Sequence, residues 1–300
     1  MKGELKDHGK AKNRETSLAV TSESELMSFL LEKMPGKNRD NVKTLLHDKQ
    51  ILVDGNQVSQ YNFRLLPGQT VTITRNRIKP GKSYRGITIL YEDNEIIVID
   101  KHAGILSVAT DRHEKYTVYT LLYDHVKKNN PDGKIFIVHR LDRETSGLMV
   151  FAKSPKIQKT LQKSWNEMII ERVYVALAEG IVDPPAGEIS SYLKEGKNLV
   201  VFSSQKPGDG QWAVTNYETI RAGAGFTLLN LNLRTGRKNQ IRVHLKDIGH
   251  PVTGDRKYGS TCNPLGRMGL HARVISFFHP VTGRKMRFET RIPRKFSSVF

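Results

Sequence analysis

From Thr88 onward the chain is a succession of short apolar runs, each of strand length and each bounded by polar or glycine-containing turns. Period and length predict strands at Ile89–Tyr91, Ile96–Ile99, Ile135–Val138, Leu148–Ala152, Val173–Ala178, Gly225–Leu233 and Val274–Phe278. Helical spacing of apolar residues predicts helices at Val118–Lys128, Ile157–Trp165 and Gln240–Lys246. Strands and helices are mixed without strict alternation. A doubly wound parallel sheet is therefore disfavoured, and an α+β fold on a mixed or antiparallel sheet is expected. No period of about 20–50 residues recurs, which excludes solenoids and propellers.

The first part of the chain reads differently. Residues 1–14 form a polar tail. Ser17–Val20 reads as a strand, and Glu25–Met34 as a helix with Leu26, Phe29, Leu30 and Leu31 inward. Thr21, Ser22 or Ser24 is expected to cap that helix. Arg39–His47 is a second helix with Val42, Leu45 and Leu46 on its apolar face. Ile51–Val58 reads as a hairpin turning at Asp54-Gly55-Asn56, followed by a strand at Thr70–Thr74. Residues 76–87 are basic, contain Pro and Gly, and read as a linker. The expected domains are thus 15–75 and 88–300.

Charge narrows the function. Lys and Arg number 48 against 30 acids, a formal charge of +18. Arg234–Phe300 holds 15 of those cations against Asp247, Asp255 and Glu289, so +12 of the +18 lies there. Such a field favours nucleic acid or another polyanion. Arg39, Lys43 and Lys49 place further cations on or just after the second helix. The basic N-terminus lacks an apolar signal core, and no run approaches the ~18 apolar residues of a membrane span. A cytoplasmic location is expected, in keeping with the single Cys262.

Several chemistries lack their residues. There is no P-loop, no dinucleotide glycine fingerprint and no Gly-x-Ser-x-Gly elbow. His-Glu-x-x-His is missing, and one Cys cannot supply a multi-cysteine zinc or iron–sulfur site. No metal site and no cofactor are expected. An enzyme of this composition works with acids, Tyr, Arg and His.

Polar residues concentrate in a few places. Ile137–Lys153 runs from one strand to another through a turn crowded with His139, Arg140, Asp142, Arg143, Glu144, Thr145 and Ser146. A loop so charged between apolar strands is a place to expect function, with a salt-bridged hairpin tip as the competing reading. Leu233–Leu245 brings Arg234, Arg237, Lys238, Arg242 and His244 from one strand–turn–helix, with Gly236 in the turn. Arg172 and Tyr174 share one strand face, and 249–259 is a turn-rich basic loop.

Together these segments resemble the RluA family of RNA pseudouridine synthases, over about residues 88–290. His139-Arg-Leu-Asp-Arg-Glu-Thr-Ser-Gly-Leu148 is similar to that family's signature around its catalytic aspartate. Arg172-Val-Tyr174, Leu233-Arg-Thr-Gly-Arg…Gln240-Ile-Arg242, Gly249-His-Pro…Tyr258-Gly and Leu270-His-Ala272 follow in family order. Residues 24–74 resemble the S-four-like RNA-binding module, named after a small-subunit ribosomal protein.

The resemblance implies the pseudouridine synthase fold, with a mixed, mostly antiparallel sheet and a small N-terminal RNA-binding module. It implies isomerisation of uridine in structured RNA, with ribosomal RNA ahead of transfer RNA, by a monomer acting without cofactor. Asp142 takes the catalytic role, Tyr174 stacks on an extruded base, and Arg242 pairs with the aspartate. His139, Arg140 and Arg143 shape the loop and contact RNA, while Arg39, Lys43, Lys49, Arg237 and Lys238 bind phosphates. Two departures stand out: Lys101-His102-Ala-Gly104 where the family usually has Lys-Pro-x-Gly, and Lys238-Asn239 where it tends to have Thr-His. A non-catalytic RNA-binding or ribosome-assembly protein on the same scaffold is the alternative. The intact Asp142, Tyr174 and Arg242 argue against it.

Overall fold

The computed structural model describes residues 16–47, 50–54, 56–58, 60–73, 83–110, 114–163, 168–196 and 198–300. The expected tail 1–14, Thr74, residues 76–82 of the expected linker and Trp165 lie outside these. The chain divides into two compact units, 1–81 and 82–300.

The N-terminal unit contains β1 (Thr16–Ala19), β2 (Ser24–Glu25), α1 (Leu26–Lys33), α2 (Arg39–His47), β3 (Ile51–Val53), β4 (Asn56–Gln57), β5 (Arg64–Leu65) and β6 (Thr70–Ile73). Four strands form an antiparallel sheet in the order β1-β6-β3-β4. Leu26, Phe29, Leu30, Val42 and Leu46 close over Ile51, Val53 and Val71, as helical spacing requires. The expected α1 cap is wrong. Glu25 occupies the N-cap without a side-chain bond, because Ser24 and Glu25 are drawn into a short strand against Leu65 and Arg64. At α2 the cap comes instead from Asn38, whose Oδ1 accepts the Asn41 N–H at 2.9 Å.

The C-terminal unit runs β7 (Ser83–Tyr84), β8 (Ile87–Glu92), β9 (Ile96–Lys101), α3 (Val118–Asn129), β10 (Phe136–Ile137), β11 (Ser146–Ala152), α4 (Pro155–Lys163) and β12 (Ile169–Glu179). It continues β13 (Ala186–Glu195), β14 (Val201–Ser204), β15 (Gln211–Gly223), β16 (Phe226–Leu233), α5 (Gln240–Asp247), a 3-10 turn (Arg256–Tyr258), β17 (Leu270–Phe278), β18 (Lys285–Glu289) and α6 (Arg294–Ser297). One sheet holds all these strands, in the order β14-β13-β15-β16-β12-β17-β11-β9-β8-β7, with β10 on β11 and β18 on β17. The expected mixed, mostly antiparallel sheet is what forms. Among its described pairings only β11 with β17 is parallel.

Two expectations need correction. Residues 83–87 are not linker: Ser83 pairs with Thr88 and Tyr84 with Ile87, turning at Gly86. Strands β13, β15 and β18 escaped the sequence reading because polar residues interrupt their apolar positions. In β15 the buried positions include Thr215, fully buried and bonded by the Gln240 side chain at 2.9 Å.

The parallel seam explains one glycine. Gly147 lies beside Ala272 with φ +115°, and a Cβ there would sit 2.1 Å from the Ala272 carbonyl oxygen. Buried histidines brace the two sides of this seam. His271 bridges the Ser146 and Thr290 hydroxyls, each at 2.8 Å. His244 bridges Thr215 at 2.9 Å and Ser191 at 3.2 Å. Burial pulls both imidazoles down to about 4, so they are neutral in the folded chain.

Two outcomes follow. Gly147→Ala forces a backbone collision at a positive φ and is expected to cost more than about 3 kcal/mol in urea unfolding. A smaller loss would mean the seam can open. The histidines make stability fall as pH drops from their unfolded value of about 6.5 toward about 4, because the unfolded chain then binds more protons. Each contributes at most about 3 kcal/mol. His244→Gln should flatten that acid limb in a thermal-unfolding series against pH.

Candidate active site

The turn between β10 and β11 is held by its backbone, which leaves its side chains free to act. Lys101, fully buried at the end of β9, donates to the carbonyls of His102 (3.0 Å), Arg143 (3.0 Å) and Thr145 (2.7 Å). Burial pulls this ammonium down to about 8, and the three carbonyls satisfy all its donors. Ser107 Oγ donates to the Leu141 carbonyl at 2.7 Å and accepts the Leu141 N–H at 3.2 Å. Gly104 N–H reaches the Arg143 carbonyl, and Arg143 Nε returns to the Gly104 carbonyl. His139, expected to shape the loop and contact RNA, does the first: its Nε2 accepts the Val150 N–H at 3.1 Å. That requires a neutral imidazole, and burial, helped by Arg172, holds its pKa down at about 3.

Asp142 projects from this tethered turn with 42% of its side chain exposed, and its Oδ2 accepts Arg242 Nη1 at 2.8 Å. Arg242 stands on α5, a hundred residues away in sequence. Its Nε and Nη2 make a fork on Asp255 at 2.6 and 2.8 Å, and Nη1 also reaches Asn239 Oδ1 at 3.2 Å. The guanidinium lies 4.7 Å from the Tyr258 ring centroid. Tyr258 is itself fixed, its hydroxyl accepting from Asn239 Nδ2 and from the Val201 N–H, both at 3.0 Å. Burial acts against the Arg242 charge, but the bonds from Asp255 and then Asp142 outweigh it and raise the pKa.

Asn239 thus takes on a structural task. It caps α5 in the left-handed conformation, φ +54°, which Asn tolerates better than most residues, and ties Arg242 to Tyr258. Asp255 and Tyr258 fall in the stretch Gly249-His-Pro…Tyr258-Gly that carries part of the resemblance, but the sequence assigns neither of them a role. The sequence shows only that Asp255 is one of three acids among the 15 cations from Arg234 onward; that it is the buried one, and so the ion-pair partner, is decided by the fold.

Asp142 and Arg242 border a cavity of about 450 Å³ inside the C-terminal unit. This is within the ordinary size for a small-molecule site. Leu106, Leu141, Leu233, Ile241 and Leu270 supply apolar wall. Tyr174 forms part of the lining. Burial pushes its phenol above the ordinary range; Arg172 opposes this and Asp142 adds to it, so the hydroxyl stays protonated. Arg140, Arg143, Arg237 and Lys238, which the sequence offers as RNA contacts, line the same cavity. Arg237 Nε is bonded to the Trp212 carbonyl at 3.1 Å, and Lys238 is paired with Glu195. Gly236 lies against the Arg172 guanidinium: a Cβ there would meet its Nη1 at 2.1 Å and displace the end of that side chain. Arg39 and Lys43 are exposed on α2 of the N-terminal unit, and Lys49 lies outside the described residues.

A carboxylate paired with a fixed cation beside a neutral phenol, in a half-apolar cavity rimmed by cations, suits a planar base carried on a phosphate chain. A model of the RNA pseudouridylate synthase family matches residues 95–247, just over half of the chain. The chain belongs to the RNA pseudouridylate synthase family. Members isomerise uridine in RNA to pseudouridine. The uncharacterized RNA pseudouridine synthase YjbO of Bacillus subtilis is 33% identical over 213 residues, 71% of this chain and 75% of that one. An uncharacterized RNA pseudouridine synthase of Aquifex aeolicus is 32% identical over 296 residues, covering 93% of each. Ribosomal large subunit pseudouridine synthase D of Neisseria meningitidis serogroup A is 29% identical over 309 aligned residues, 96% of this chain and 82% of that one. Human RNA pseudouridylate synthase domain containing 4 shares the fold, with a TM-score of 0.58 at 24% identity over 72% of this chain and 91% of that one.

In this pseudouridine synthase the Asp255 fork can be tested without any assay of turnover. Asp255→Ala leaves a buried guanidinium short of its main partner, and is expected to cost about 3–5 kcal/mol in urea unfolding. Asp255→Asn keeps an acceptor and should cost less. An unchanged midpoint in the alanine variant would mean that Asp142 and the Tyr258 ring hold Arg242 alone.

Proposed function

We propose that this enzyme isomerises uridines of ribosomal RNA, with Asp142 as catalytic carboxylate, Tyr174 stacked on the extruded base and Arg242 as the counter-charge of the aspartate. The observation that carries this reading is the 2.8 Å ion pair of Asp142 and Arg242 on a cavity that also holds Tyr174. The reaction breaks the N1–C1′ bond of uridine and forms a C5–C1′ bond. C5 loses its proton and N1 gains one, so no electrons are exchanged. Attack at the ribose, attack at the base and elimination through a glycal all need a carboxylate at this place.

A uridine in structured RNA reaches such a cavity only by leaving its stack, at a cost of a few kcal/mol. Arg140, Arg143, Arg237 and Lys238 offset that cost through phosphate contacts, and a polyanion held there closes the cavity to water. Arg242 then compensates the aspartate's charge where solvent no longer does. Ribosomal RNA is favoured because the Neisseria relative, named for the large ribosomal subunit, aligns over 96% of this chain and so spans both units. Residues 15–75, within the N-terminal unit, are assigned to RNA docking through Arg39 and Lys43, which α2 leaves exposed. The cytoplasm is the place of action. No helix among the described residues is long and apolar enough to cross a membrane.

The test is tritium release from RNA labelled at C5 of uridine, taken from cells lacking the gene. Wild type is expected to release tritium, and Asp142→Asn to be slower by about a hundredfold or more. Equal release by both proteins would remove Asp142 from its role. No release by either, with naked RNA and assembled subunits alike, would favour a non-catalytic RNA-binding protein.

A further inference from the structure

A second cavity, of about 750 Å³, lies beside the first and shares Leu106 and Arg143 with it. Three short pieces of the C-terminal unit build it: the β7–β8 turn at Arg85, the segment after β9, and the approach to α3 at Glu114, Lys115 and Tyr116. None of Arg85, Glu114, Lys115 or Tyr116 touches the cavity of Asp142.

Its charge is unbalanced. Among the described residues that line it, Arg85, Lys115 and Arg143 face a single carboxylate, Glu114. Glu114 is already engaged, accepting the Thr110 N–H at 2.8 Å and the Thr110 hydroxyl at 3.0 Å. Among the described residues no carboxylate lies within ion-pair distance of Arg85 or Lys115. Among the described residues Arg143 hydrogen-bonds through its Nε, on the Gly104 carbonyl, and its charge also acts on Glu114. Tyr116 is 48% exposed, yet its hydroxyl donates to the Arg85 carbonyl. An exposed aromatic held by its own hydroxyl presents a fixed face at little entropic cost.

Unpaired cations around a fixed aromatic face match one nucleotide, a phosphate with a base that can stack. Because the two cavities share Arg143, a strand with one residue in the first passes its neighbour to the second. We propose that this cavity receives the RNA nucleotide adjacent to the target uridine, with Arg85 and Lys115 on its phosphate and Tyr116 on its base. This rests on the proposed function for the identity of the first cavity's occupant.

Two measurements on the full chain separate the two ideas. Fluorescence anisotropy with labelled pentauridylate reads the second cavity without turnover. Tyr116→Ala, Arg85→Glu and Lys115→Glu are each expected to weaken binding about tenfold, and Tyr116→Phe, which keeps the ring, less than about threefold. Each charge reversal should also lower the salt slope of binding by about one. Tritium release from deproteinised ribosomal RNA should show the same variants raising KM about tenfold with kcat within about twofold. Unfolding midpoints equal to wild type keep these losses local.

Unchanged affinity in the variants, or no measurable pentauridylate binding by wild type, overturns the inference whatever the activity. Loss only in the charge reversals reduces the cavity to a phosphate groove and overturns the nucleotide assignment. Free uridine monophosphate binding as tightly as pentauridylate would assign a free nucleotide instead and also overturns it. An inactive wild type whose variants still lose pentauridylate affinity sinks the proposed function and leaves the second cavity as a nucleotide site.

Discussion

The parallel contact of Gly147 with Ala272 is the joint on which the catalytic unit turns. Strands β7–β11 form one half of the sheet and β12–β18 the other, and this short pairing joins them. It works because Gly147 has no Cβ and because Ser146 and His271 close a hydrogen bond alongside it. Everything in the cavity is referenced to this line. Asp142 hangs from the turn that enters β11. Tyr174 stands on β12 opposite Ala272, at an irregularity in register with β17. Arg242 comes from the helix packed on the second half. A slip at the seam would move the carboxylate relative to the other two groups at once.

Across that joint the electrostatics are arranged by one arginine. Arg242 uses Nε and both terminal nitrogens, and spreads them over Asp255, Asp142 and Asn239. A buried Asp255 fixes the fork, so the bond to the more exposed Asp142 is made by a cation that cannot wander. This preorganisation matters more than the energy of the pair, since buried ion pairs often give little net stability. The same logic applies to Lys101. Its ammonium is committed to three carbonyls, and the result is a turn whose backbone is held while Arg140, Asp142, Arg143 and Glu144 stay exposed.

Much of the site was legible in the residues. Asp142, Tyr174 and Arg242 occur in motifs dense enough to be read one by one, and the structure brings all three to one cavity. Helices α2, α3 and α5 fall where apolar spacing puts them, to within a residue at each end. What was missed shares one character. Strands β13 and β15 mix polar residues into their apolar positions, and one of them, Thr215, is buried only because Gln240 and His244 bond it from another element. Ser83 and Tyr84 resemble linker because two residues of a sheet edge have no period to read. Ser24 resembles a helix cap because a two-residue strand cannot be foreseen from its own side chains.

The linear chain, then, determined the class of fold, the basic character and the chemistry-bearing motifs, because these depend on residue type and short-range spacing. Tertiary structure alone decided which of three acids among the C-terminal cations would hold Arg242, that Gly236 lies against the Arg172 guanidinium, and that Lys101 is a brace. It also decided that a second basic cavity opens next to the first. These are facts about distance between residues far apart in the chain, and no local pattern of side chains encodes such distances.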